Sequence, residues 1–186
     1  MKEIINNWFG EISDESYIEQ GDIFEKCCII LPNHTHYLSI FNSMHTDTPL
    51  EVTEFDGIVL SQTCDIINKK ISSLILCPIF PLSTFKDKGG RFNSAAGRED
   101  LRQGKLAQYH LLQKFETKTL PMDYYYVDFQ HIYSIPKQFL EAMLKNISRK
   151  RLLSPYREHL SQSFARYFMR VGLPTDIPQE DIKNYT

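Results

Sequence analysis

Cys64, Asp65 and His159 are the residues whose types suit nucleophilic chemistry: a thiol, a carboxylate and an imidazole. A cysteine nucleophile needs a base within hydrogen-bond reach and a further group that orients the base. Cys64 lies in the run Ser61-Gln62-Thr63-Cys64-Asp65 and His159 stands far along the chain, so the fold alone decides whether they meet. The adjacent Asp65 works against this chemistry, because a neighbouring carboxylate raises a thiol's pKa and disfavours the thiolate. Three expectations stay open: a thiol hydrolase using Cys64 and His159, a divergent nuclease using Asp65, His159 and Arg166, and a plain turn. In the last, Asp65 and its polar neighbours bind backbone amides or pair with an arginine of a later helix.

A second set of residues suits anion binding. His159, Ser163, Arg166 and Arg170 recur at i, i+4, i+7 and i+11, with Gln162 at their edge, and so form one polar stripe on a helix. The stripe adjoins an apolar sector of Leu153, Tyr156, Leu160, Phe164, Tyr167 and Val171. Side chains at such a boundary line a groove where helix meets sheet, or they are ordinary surface polarity with arginine stems laid over apolar area. Lys86, Lys88, Arg91, Arg98, Arg102 and Lys105 form a second cationic arm, and guanidinium groups match phosphate geometrically. The expected ligand-binding set is Ser61, Gln62, Thr63, Arg98, Arg102, Ser163, Arg166 and Arg170. The expected partner is RNA or another phosphate-bearing or acidic ligand, with a docking protein as the alternative.

Charge is distributed unevenly around a net value of −2. Residues 1–25 hold one cation, Lys2, against seven carboxylates, whereas residues 137–170 hold eight cations against Glu141 and Glu158. A basic carboxy-terminal region meets phosphates, an acidic partner, or this chain's own acidic amino-terminal segment.

The elements that must hold these residues have two textures. DIFEKCCIIL (22–31), HYLSIF (36–41), LEVTEF (50–55), GIVLSQ (57–62), ISSLILCPI (71–79) and DYYYVDFQ (123–130) are short, rich in β-branched or aromatic residues, and read as strands. The early strands have short connections, which favour antiparallel neighbours. Strand alternation would put Ser61 and Thr63 on one face and Gln62 and Cys64 on the other. KDKGGRFNSAAGRED (86–100) has three glycines and no apolar periodicity, the signature of a long loop. Ser134 with Pro136 opens a helix carrying Phe139, Leu140, Met143, Leu144 and Ile147. Ser154-Pro155 opens another that Gly172 and Pro174 close.

At 186 residues the chain suits one domain: about 20–133 a barrel with an insertion at 86–105, 134–172 helical, and 173–186 a tail. Neither a secretory leader nor a membrane-spanning apolar run is visible, so the expectation is a cytoplasmic protein that meets no membrane. Cys27, Cys28, Cys64 and Cys77 sit in or beside apolar segments and contain no C-x-x-C pair. Neither a disulfide nor a metal site is expected, and no cofactor is implied.

QGDIF (20–24), GIVLSQTCDI (57–66), LILCPIF (74–80) and VDFQHIYSIP (127–136) together resemble the skeleton of the PemK/MazF-like toxins. The resemblance implies a small β-barrel and a role in a bacterial stress, defence or toxin-related system. In that family Arg-Pro precedes the central strand and the later strand ends Pro-Ile-Thr. Here these positions read Asp56-Gly57 and Pro78-Ile79-Phe80, so the resemblance implies the barrel without that ribonuclease chemistry. SQTCDI with SPYREHLSQSFARYFMRVGLP is also similar to a family of uncharacterised bacterial proteins. The expected architecture is α+β: a small, mostly antiparallel barrel or curved sheet, a long central loop and two C-terminal helices.

Overall fold

The computed structural model describes residues 7–13, 17–32, 34–42, 51–144 and 149–169. The chain order is β1 (Phe9–Ile12), β2 (Ile23–Leu31), α1 (His34–Phe41), β3 (Glu51–Val59), α2 (Thr63–Ile67) and β4 (Ser73–Pro81). Two 3-10 turns, Leu82–Lys88 and Gly90–Asn93, lead to α3 (Ala95–Arg102) and β5 (Tyr109–Phe115). The last elements are β6 (Asp123–Asp128), β7 (Tyr133–Pro136), α4 (Lys137–Met143), β8 (Arg149–Leu152) and α5 (Tyr156–Phe168).

The fold is α+β with an antiparallel sheet. Its order is β2-β3-β4-β6-β5, and β7 joins β4 on the same edge as β6. Leu74 faces Ile135 on β7, while Phe80, further along β4, faces Tyr126 on β6. Both faces are covered where β3 and β4 pair, at Ile58–Val59 and Leu76–Cys77. Ile58, Cys77 and Ile79 point into a core shared with Phe9, Leu112, Tyr125, Phe129, Leu152 and Leu160. Val59, Leu74 and Leu76 point the other way, into a core with Ile66, Ile135 and Leu140 that α2 and α4 cover. This two-sided burial explains why these strands are continuously apolar instead of alternating.

A separate ribbon of β1 and β8 sets Phe9 opposite Leu152 and joins β2 through an Asp22–Arg151 bridge. The Phe9 and Phe115 rings lie 4.7 Å apart, which brings β1 near β5. No ladder joins β1 to β5 among the described residues, so the sheet stays open at that seam, and of the barrel or curved sheet expected the closed barrel is not formed.

Other expectations also change. HYLSIF forms helix α1 and no strand: Tyr37, Leu38 and Phe41 satisfy helical spacing as well as a short strand would, and they are exposed. The two strands expected at 50–55 and 57–62 are one, β3, which ends at Val59. The segment 86–100 is folded into 3-10 turns and the start of α3, and Phe92 packs against the buried Phe85, Leu101, Tyr109 and Tyr126 cluster that flanks it. Ser94 caps α3 by accepting the Gly97 N–H at 3.0 Å. A Cβ on Gly97 would lie 2.3 Å from the Arg91 carbonyl oxygen, so only glycine fits there. The anchors of this segment are too widely spaced to register as periodicity. The helix expected from Ser134 begins later, because Tyr133–Pro136 first pairs with β4. The part of it at Ile147, and the stop expected at Gly172, lie outside the described residues.

Candidate functional site

Beside the open seam, α5, β5 and the end of α3 enclose a cavity of about 380 Å³, lined among others by Trp8, Arg102, His110, His159, Ser163 and Arg166. Each element presents these groups for a local reason. Leu160 is fully buried, with Tyr156, Phe164 and Tyr167 packed around the same core, so α5 turns its adjoining stripe of His159, Gln162, Ser163 and Arg166 towards β5. Trp8 stacks on Tyr156 with ring centroids 3.9 Å apart and planes at 11°, and the Leu153 N–H donates to the Trp8 carbonyl at 2.8 Å. These contacts lock the start of α5 to β1. Tyr156 in turn meets the His159 ring edge-on at 6.3 Å.

His110 is the unusual group. Its ring lies against Phe129 at 6.4 Å, and its Nε2 is covered and has no hydrogen-bond partner among the described residues. Burial, with the nearby His159 as a smaller cause, holds this imidazole down to about 4, so it is neutral at pH 7. An unpaired buried nitrogen is uncommon, because such a group loses its water without gaining a partner.

The charge around the cavity has one sign. Its lining contains no Asp or Glu. Arg166 is exposed and forms no ion pair among the described residues. Arg102 is engaged: its Nε and Nη2 donate to the two Glu99 carboxylate oxygens at 2.7 and 2.6 Å. Arg102, with Trp8 and Leu111, also borders a second, more apolar cavity of about 530 Å³ lined by Leu82, Arg98, Leu112 and Tyr124.

Of the residues expected to bind a ligand, Arg102, Ser163 and Arg166 therefore share one cavity with His159, and Arg98 lies in the next. Arg170 lies outside the described residues. Ser61, Gln62, Thr63, Cys64 and Asp65 are elsewhere. The strand alternation expected for them does not apply, since Thr63 begins α2. The Ser61 hydroxyl accepts the Ile75 N–H at 2.8 Å and the Thr63 hydroxyl accepts the Gln20 N–H at 3.1 Å, both structural contacts. The Cys64 thiol lies 3.6 Å from Gln62 Oε1 and 3.8 Å from Asp65 Oδ1. Asp65 pairs with Lys70 at 3.2 Å, not with an arginine of α5. Gln20 ties this region to Ser161, two residues and about 200° around α5 from His159. The thiol and imidazole thus line no common cavity.

Most of the remaining cations are engaged. Lys88 donates to the buried Asp128 at 3.0 Å beneath the rings of Phe80, Tyr109 and Tyr126. Arg149 and Arg151 are buried on Asp22, Arg151 and Arg157 reach Glu19, and Lys150 reaches Glu11. The basic carboxy-terminal region meets this chain's own acidic segment.

Trp8 and His110 escape sequence reasoning. YHLLQKF (109–115) holds a strand's worth of β-compatible residues, the one signal that would have placed His110 on a sheet edge. Trp8 carries no signal beyond being the sole tryptophan.

Cys27 and Cys77 are buried and burial pushes their thiols up to about 12, and all four cysteines are free. Among the described residues no three His, Cys, Asp or Glu side chains are grouped to hold a metal ion, and no helix is long and apolar enough to cross a membrane. Neither a family model nor a curated protein matches the sequence.

Proposed function

We propose that the protein is a binding module for a phosphate-bearing ligand, RNA included, seated between α5 and β5. The observation that carries this reading is the cavity that gathers Arg166, which forms no ion pair among the described residues, with His110, whose Nε2 has no partner among them, His159 and Ser163, and whose lining contains no carboxylate. A cationic, donor-rich recess of about 380 Å³ falls within the range of small-ligand sites. The more apolar recess beyond Arg102 suits a base or sugar next to the phosphate. The resemblance of residues 20–24, 57–66 and 74–80 to PemK/MazF-like toxins supports a role in a bacterial stress, defence or toxin-related system.

Trp8 borders both recesses, so its fluorescence reports occupancy directly. Titration with inorganic phosphate, a nucleoside monophosphate and single-stranded RNA should give saturable changes that weaken steeply with salt. Arg166→Ala should lose roughly 10-fold or more in affinity, the scale of a charge-assisted contact. Equal affinity in wild type and variant would reject the site.

A second reading has its own support. Ile30, Leu31 and Val52 at the β2–β3 end, with Tyr37, Leu38 and Phe41 on α1, are exposed apolar residues of the kind that dock on another protein.

A further inference from the structure

We propose that the two recesses form one site and that its ligand is a free guanine nucleotide, with the phosphate in the α5–β5 cavity and the base in the apolar recess beyond Arg102. The inference rests on the phosphate-binding reading and narrows it to one ligand chemistry. Trp8, Arg102 and Leu111 line both recesses, so a ligand seated in the first continues into the second along a shared wall.

The distribution of unpaired arginines favours a small ligand over a strand. Among the described residues, Arg91 pairs with Asp100, Arg102 with Glu99, Arg149 and Arg151 with Asp22, and Arg157 with Glu19 and Glu158. The other two described arginines, Arg98 and Arg166, form no ion pair among those residues, and each lines one of the two recesses. A single-stranded polymer draws its affinity from a run of phosphates along a basic groove. One unpaired guanidinium in each of two adjoining recesses matches a ligand the size of one nucleotide.

The two guanidinium groups have different surroundings. Around Arg166 are His159, Gln162 and Ser163 with no carboxylate in the lining, which suits a phosphate. Around Arg98 are Leu82, Leu111 and Leu112 with the rings of Trp8 and Tyr124, which suit the faces of a base. Both rings are held in place, Trp8 by its stack on Tyr156 and Tyr124 by the Lys114 ammonium 5.0 Å from its centroid.

The identity of the base follows from which polar groups of the apolar recess are still free. Its carboxylate and its amide oxygen are taken: Glu99 accepts from Arg102 and Gln103, and Gln113 Oε1 accepts the Lys114 N–H at 2.9 Å. Arg98 remains, a fork of donors that calls for two neighbouring acceptors. Guanine offers that pair in O6 and N7. Adenine carries a donor amine where guanine has O6, and a pyrimidine has no N7.

The test titrates the full chain by calorimetry with inorganic phosphate, guanosine, the monophosphates GMP, AMP, CMP and UMP, and a single-stranded RNA of mixed sequence. GMP should bind roughly 10-fold or more tighter than the other monophosphates, the scale of one bidentate base contact. It should also bind tighter than phosphate or guanosine alone. Arg98→Ala should erase the preference for guanine and keep AMP affinity within a few-fold. Arg166→Ala should weaken every monophosphate by roughly 10-fold and keep their order. Both side chains are exposed, so neither substitution disturbs the core. Equal affinity for the monophosphates, with phosphate still bound, overturns the guanine assignment and leaves the phosphate-binding reading standing. A preference for guanine that survives Arg98→Ala overturns it too, as does RNA bound more than roughly 10-fold tighter than GMP, the mark of a site that follows a run of phosphates. Absence of binding by phosphate and by every nucleotide removes both readings.

Discussion

Arg102 holds Glu99 in a two-pronged ion pair on the rim shared by the two recesses. The hydrogen bonds from Arg102, then the one from Gln103, hold the Glu99 carboxyl down to about 2, so it stays ionised at working pH. A guanidinium engaged in this way is only partly available to an incoming phosphate. Glu99→Gln should release it and tighten phosphate or RNA binding a few-fold, the scale of an exposed pair. Trp8 titration at low salt measures this, and weaker binding in the variant would place Arg102 outside the ligand's reach.

Asp22 is the anchor of a buried ionic cluster, with Arg149 Nε at 2.8 Å and side-chain exposures of 0% and 2%. Asp22→Asn removes the carboxylate that two buried guanidinium groups share, and should cost about 3–5 kcal/mol. Urea denaturation monitored by Trp8 fluorescence gives the difference. A loss under about 1 kcal/mol would mean that water reaches the cluster.

The acid limb of stability should carry the mark of His110. In the unfolded chain this imidazole protonates as pH falls through its ordinary 6.5, whereas burial in the folded state resists until about 4. The unfolded state therefore binds the extra proton, and stability drops as pH falls between those values, by at most about 3 kcal/mol. The nearby His159 adds a smaller push in the same direction. Denaturation midpoints across this window should flatten in His110→Asn; an identical limb would assign the drop to other groups.

Cys64→Ser should change stability by no more than about 0.5 kcal/mol and leave phosphate binding untouched, since the thiol is exposed and lines neither recess. Any loss of activity in that variant would return the Ser61–Asp65 run to consideration.

The helical stripe of His159, Ser163 and Arg166 was legible because 3.6-residue periodicity fixes which side chains share a face, and Leu160 marks the buried side. The central strands were legible because a sheet covered on both faces must be continuously apolar. Three elements were not. Residues 149–152 read RKRL, an unlikely strand until Asp22 is seen to neutralise Arg149 and Arg151 from another part of the chain. α1 shares its apolar spacing with a short strand. The packing of 82–102 rests on Phe85 and Leu101, whose partners Tyr109 and Tyr126 lie beyond any local window. His110 escaped for the same reason, since its significance lies in the missing partner.

The ribbon of β1 and β8 has a consequence for the order of assembly. β1 hydrogen-bonds to a strand near the other end of the sequence, and Asp22 waits for Arg149 at a sequence separation of 127. During synthesis β1 therefore remains without its β8 neighbour while β2 to β7 already have theirs. Contacts of such long separation are slow to close. The native seam beside the α5–β5 cavity is completed only after α4 has emerged, so a chain truncated before β8 leaves that cavity without one of its borders.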